Sequence, residues 1–154
     1  MSTSAQLLKE QHLRVTAARV AALDLLKERN HLTAEDVAVG VRERIGSLSV
    51  QASYHLLDAL VTAGLLRRVD IAGSAIRYER REDDHHHHLV CRSCGVVANI
   101  DCRAEGGPCV ALGDRQGFEI TEVEVTFWGI CPECRSSSTP PTEPLLATTK
   151  GITS

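Results

Sequence analysis

An α+β chain in two parts is what the sequence predicts, on three observations. Capped amphipathic helical segments fill residues 1–64, a basic hairpin follows, and from residue 85 on the texture changes to short strand-like runs around two C-x-x-C pairs. A chain of 154 residues suits one medium domain or two small ones, and small ones bury too little surface to be comfortable without a staple. There is no run of about 18 or more apolar residues, and "MSTSAQLLKEQHL" has neither the basic start nor the apolar core of a signal peptide. A soluble cytoplasmic protein with no membrane role is therefore expected, with its cysteines reduced.

The helical elements announce themselves through their caps. "TAARVAALDLLKE" opens on Thr16 and repeats Val20, Leu23 and Leu26 at helical spacing, and "TAEDVAVGVRERI" carries a capping box of Thr33 and Asp36. A third helix runs from Ser49 to about Gly64. At 100° per residue it gathers Leu56, Leu57 and Leu60 on one side and turns Gln51, Tyr54, His55, Asp58 and Thr62 to the other. Next comes "LLRRVDIAGSAIRYERR", two strand-like runs about Ala72-Gly73-Ser74 bearing Arg67, Arg68, Arg77, Arg80 and Arg81. Helices that end in a basic hairpin make a winged helix.

Charge separates the two parts. Residues 1–81 hold 12 Lys+Arg against 9 Asp+Glu, whereas the remainder holds 5 against 11, so the first part is the better partner for an anion such as DNA. In such a pairing arginines neutralise phosphates and a helix in the major groove reads bases. Beyond residue 85, "HHLVC", "GVVANID" and "FEITEVEVTFWGIC" read as strands, "VALGDRQG" as a short helix, and "SSSTPPTEPLLATTKGITS" as a disordered tail.

Two constellations carry the chemistry. Cys91/Cys94 and Cys131/Cys134 are C-x-x-C pairs with 36 residues between them. Each pair can turn both sulfurs inward on a tight knuckle, and two knuckles complete a tetrahedral thiolate shell for structural Zn(2+) that leaves no position open to substrate. The other constellation is "DDHHHH", internal rather than terminal and so unlike a purification tag. In an extended segment His86 and His88 point to one side and His85 and His87 to the other. Imidazoles with carboxylates suit Fe(II), Mn(II), Zn(II) or Co(II), and unlike the thiolate cage they can hold the ion reversibly.

The stretches "LRVTAARVA", "HLTAEDV", "SVQASYHLLDALVTAGLLRR", "RYE", "HHHHLVCRSCGVVANID" and "VTFWGICPEC" together resemble the ferric-uptake-regulator (Fur) family, in its FurA-type branch linked to catalase-peroxidase control. The resemblance implies a winged-helix DNA-binding domain at 1–82, a hinge at 83–88, an α/β dimerisation domain at 89–135 and a tail at 136–154. Its function would be that of a metal-dependent repressor of iron-homeostasis and oxidative-stress genes, a homodimer on double-stranded operator DNA. Carried over residue by residue, the regulatory site falls on His31, Glu79, His86 and His88, filled by Fe(2+) with Mn(2+) or Zn(2+) as substitutes. Tyr54 would meet bases in the major groove and Arg14 the minor groove, with Gln51 and His55 beside Tyr54 and with Arg19, Arg67, Arg68 and Arg77 on phosphates.

Departures from the family pattern qualify the carry-over. Asn99 stands where peroxide-sensing members have an aspartate, with Asp101 two positions on, and Val123 stands where an additional metal site would use a histidine. His85, His87, Asp101, Glu105 and Glu124 are what is left to assemble such a site. Cys102 and Cys109 are either small structural thiols or a redox pair, and peroxide or redox sensing through them or the metal site is the alternative reading. A histidine/carboxylate metalloenzyme is a further class, but no motif such as H-E-x-x-H supplies the positioned acid or base it needs. A zinc-ribbon interaction module without DNA would not explain the arginines.

Overall fold

The computed structural model describes residues 2–82, 86–101, 113–121 and 123–137. Four helices open the chain: α1 (Ser4–Glu10), α2 (Ala17–Glu28), α3 (Ala34–Ile45) and α4 (Val50–Thr62). Their starts are set by side-chain oxygens that accept otherwise unpaired backbone N–H groups, from Thr3, Thr16, Thr33 and Ser49. The Thr33/Asp36 capping box forms as expected; α1, with its own box of Thr3 and Gln6, is an additional element. Helix α3 ends on Gly46 at φ 91°, a left-handed conformation that a side chain would strain.

Leu8, Leu23, Leu26, Val37, Val41, Leu57 and Leu60 are fully buried where these helices meet. Two polar or small residues fix the contacts. The Ser53 hydroxyl, itself buried, donates to the Ala34 carbonyl at 3.0 Å and seats α4 on the start of α3. Gly40 lets α2 and α3 approach so closely that a Cβ there would lie 2.6 Å from Leu25 Cδ2.

The wing is a three-stranded sheet of β1 (Leu32–Thr33), β2 (Leu66–Val69) and β3 (Arg77–Arg80) in the order β1-β3-β2. Its two long strands are the expected hairpin. The two-residue β1 is a finding, formed because Leu32 and Thr33 pair with Tyr78 and Arg77.

A second sheet holds β4 (His86–Cys91) between β5 (Val97–Asp101), antiparallel, and β6 (Thr126–Gly129), parallel. A short helix, α5 (Pro132–Ser136), follows. Among the described residues the expected strand over 118–131 contracts to β6, and Phe118, at 74% exposed, has no surface to pack on. Residues 113–117 form a turn rather than the end of a helix, and β4 begins at His86, inside the span expected to be hinge. Val69 and Ile71 of the wing region pack on Val90 and Val97, joining the two sheets. No described helix is long and apolar enough to cross a membrane.

Candidate metal centres and nucleic-acid interface

Glu79 is 1% exposed, and three imidazoles surround its carboxylate. Antiparallel pairing sets Leu32 against Tyr78, so the next step along both strands brings His31 to Glu79. His31 holds φ 62°, a left-handed conformation costing a non-glycine residue roughly 1–3 kcal/mol and common at functional sites. Strand alternation brings the other two rings: His86 and His88 share the face of β4 turned to the wing. The Nε2 atoms of His31 and His88 lie 3.0 and 3.1 Å from Glu79 Oε2, and that of His86 lies 3.2 Å from Oε1.

Donor atoms of His31, just before β1, Glu79 on β3 and His88 on β4 all fall within 4.8 Å of one another. His31 Nε2 is buried and lacks an aligned hydrogen-bond partner despite its closeness to the carboxylate. A buried carboxylate ringed by imidazole nitrogens, one of them without an aligned hydrogen bond, fits a divalent cation. Burial alone would raise the Glu79 carboxyl, but contacts from His31 and His88 and the charge of Arg67 hold it well below the usual range. It stays a carboxylate, ready as a ligand.

The four cysteines form the other centre. Cys91, Cys94, Cys131 and Cys134 are free thiols whose sulfurs lie within 4.8 Å of one another. Gly95, at φ 74°, donates its N–H to the Cys91 carbonyl at 2.9 Å and closes the first knuckle. Pro132 begins α5 immediately after Cys131, whose sulfur accepts from the Cys134 N–H at 3.5 Å. Backbone N–H groups of Cys131 and Cys94 pull the Cys91 thiol down to about 6. A Ser93 contact pulls Cys134 the same way, yet the crowding thiols Cys131 and Cys94 push it up to about 12. Four thiolates cannot share this space without a cation, and zinc would hold all four ionised.

Not every expected site residue joins a centre. His87 turns to the opposite face of β4, its ring 6.1 Å from that of Phe127 and its buried Nδ1 unpartnered. Asn99 and Asp101 pair in register with His88 and His86 but are exposed. Among the described residues, His87, Asp101 and Glu124 do not come together as a metal-binding group. His85, Glu105, Cys102 and Cys109 lie outside the described residues, as does the tail from residue 138.

On α4, Gln51, Tyr54, His55 and Asp58 are exposed, as the helical wheel predicts. Tyr54 Oη donates to Glu35 at 2.9 Å, so α3 steadies it. Arg14 is exposed, and Arg19 donates to its carbonyl at 2.8 Å. Arg68 and Arg81 are exposed on the wing. Two arginines expected on phosphates are turned inward instead. Arg67 Nε donates to Glu79 Oε1 at 2.7 Å, and Arg77 donates to the His31 carbonyl at 3.1 Å and to that of Gly95 at 3.5 Å. The buried carboxylate outcompetes water for Arg67, and free backbone carbonyls hold Arg77. The register of the folded hairpin sets Arg67 opposite Glu79.

A winged helix whose exposed helix face is steadied from behind, joined through a histidine/carboxylate seam to a sheet with a thiolate cage, defines a metal-responsive DNA-binding class of protein. The family model of the ferric uptake regulator family matches residues 10–128, and the chain belongs to that family. It is 44% identical over 140 residues to the transcriptional regulator FurA of Mycobacterium tuberculosis, covering 91% of this chain and 95% of that one. Against ferric uptake regulation protein 2 of Mycolicibacterium fortuitum the identity is 46%, covering 87% and 96%. The ferric uptake regulator of Helicobacter pylori, described as having three functional metal binding sites, shares the fold at a TM-score of 0.65 with 18% identity, over 90% of this chain and 100% of that one.

Proposed function

We propose that this protein is a metal-dependent transcriptional repressor, a cytoplasmic homodimer on operator DNA, without enzymatic activity. One observation carries the reading: His31 and Glu79 from the winged helix and His88 from the second sheet converge within 4.8 Å. A divalent ion bound there, Fe(2+) or in its place Mn(2+) or Zn(2+), would supply a positive centre shared by both units. His31, Glu79, His86 and His88 are the ligands in this reading. They stabilise the one hinge angle at which they converge, so the ion shifts the population toward it by its differential affinity. DNA, by reciprocity, tightens metal binding by the same factor.

Zinc at Cys91, Cys94, Cys131 and Cys134 is the permanent structural ion. The outer face of the second sheet exposes Leu89, Ile100 and Phe127, an apolar strip that a second copy would cover. Two copies would present two α4 helices to successive major grooves. Tyr54, Gln51 and His55 then read bases, Arg14 enters the minor groove, and Arg19, Arg68 and Arg81 hold phosphates. Domain limits of 1–82 and 89–135 belong to the same reading, as do iron homeostasis and oxidative stress as the processes controlled.

The test is DNA affinity of zinc-loaded protein with and without Mn(II), for the wild type and His88→Ala. Metal should tighten wild-type binding by about tenfold or more and leave His88→Ala unchanged. Equal wild-type affinity in both conditions refutes the switch.

A further inference from the structure

Arg67 stands directly across the hairpin from Glu79, and its guanidinium makes two approaches to one oxygen. Nε donates to Oε1 at 2.7 Å, and Nη2 lies 2.6 Å from the same atom. Nη2 is also 3.1 Å from His86 Nε2. A guanidinium carries only donors, so a hydrogen bond there uses the lone pair of Nε2, the pair this ring would give to a metal. Glu79 Oε2 faces His31 and His88 at 3.0 and 3.1 Å, with His86 Nε2 farther off at 3.3 Å. The four-ligand seam is thus divided into a three-donor set of His31, Glu79 and His88, and a remainder covered by an arginine.

We propose that Arg67 is an internal cation that competes with the regulatory metal for Glu79 and His86, and that it must swing aside before His86 can ligate. There is room for it to go. Val61, Leu66, Arg67, Arg68, Arg81 and Glu124 line an adjoining cleft of about 420 Å³, in which Glu124 is the acidic side chain. The inference rests on the metal-bridge reading above. Two consequences follow from the competition. Arg67 neutralises Glu79 when no metal is bound, so a buried carboxylate is never left uncompensated. It also lowers the apparent metal affinity, because only the fraction of molecules with the arginine displaced offers all four ligands. Lysine would compete less well, lacking the planar fork that makes both contacts at once.

The experiment is Mn(II) titration of full-length, zinc-loaded protein, comparing wild type, Arg67→Met and Arg67→Lys, each with His86 intact or as His86→Ala. Arg67→Met should bind Mn(II) about tenfold more tightly, with Arg67→Lys in between. The gain should shrink when His86 is absent, since one of the two contested ligands is already gone. Co(II) absorption should show the same final coordination in wild type and Arg67→Met, reached at lower metal in the variant. Unchanged or weaker Mn(II) binding by a folded Arg67→Met protein overturns the proposal, and so does an equal gain in both His86 backgrounds. If Arg67→Met does not fold, Arg67→Lys decides by the same criterion. A wild-type titration that superimposes on that of His88→Ala is a different result: it defeats the metal bridge itself.

Discussion

The helical unit encloses Leu8, Leu23, Leu26, Leu57 and Leu60 at 0% exposure, whereas β5 and β6 of the second sheet bury no residue. Only Val90 and Cys91 among the apolar residues of β4 are buried. One unit is held by close-packed leucines and capped helices, the other by its strand ladders and a cluster of sulfurs. Each unit is therefore vulnerable in its own way. A packed core loses stability in increments, while a staple is lost all at once.

The largest effect that separates the two units should come from Cys91→Ser. Zinc binding of this kind contributes on the order of 10 kcal/mol in small peptides. The variant should lose zinc and the second sheet together, while the helical unit still melts cooperatively. Metal analysis and calorimetry check this, and a folded, zinc-loaded variant would break the comparison. Leu57→Ala comes next. It should cost the helical unit about 3 kcal/mol, within the range for deleting a buried leucine side chain, and leave the zinc content unchanged. Smallest is Thr33→Ala, which removes the cap of α3 and should cost about 1 kcal/mol, measured as a shift of the same helical transition. A loss of zinc in either of the last two would mean that the units are not independent.

How much of this was legible in the sequence depends on the range of the interaction. Thr16, Thr33 and Ser49 mark their helix starts because a cap bonds within three residues of itself. The C-x-x-C pairs identify a cage for the same reason: each knuckle is local, even though the pairs are far apart in the chain. The outward placement of Tyr54 followed from helical periodicity alone. Glu79 and His31 were legible only through family resemblance, since nothing near either residue marks it as a ligand.

Elsewhere the local signals misled. Arg67 and Arg77 carry the same charge as Arg68 and Arg81, and a basic hairpin says nothing about which arginines point inward. That choice belongs to the buried carboxylate of Glu79 and to the carbonyls of His31 and Gly95. The sequence after Phe118 has the alternation of a strand, but alternation reports a preference and not a partner, and among the described residues only Thr126–Gly129 finds one in β4.

The α+β order, the capped helices, the basic hairpin and the thiolate cage can be read along the chain, because each depends on residues that are neighbours in it or repeat at a regular period. Folding alone brings His31 to His88 across the seam, sets Arg67 on their carboxylate and lets Arg77 tie the wing to a cysteine knuckle. Those contacts join residues up to 57 positions apart, and burial in a low-dielectric seam, a property of the folded chain alone, is what makes one charged pairing prevail over another.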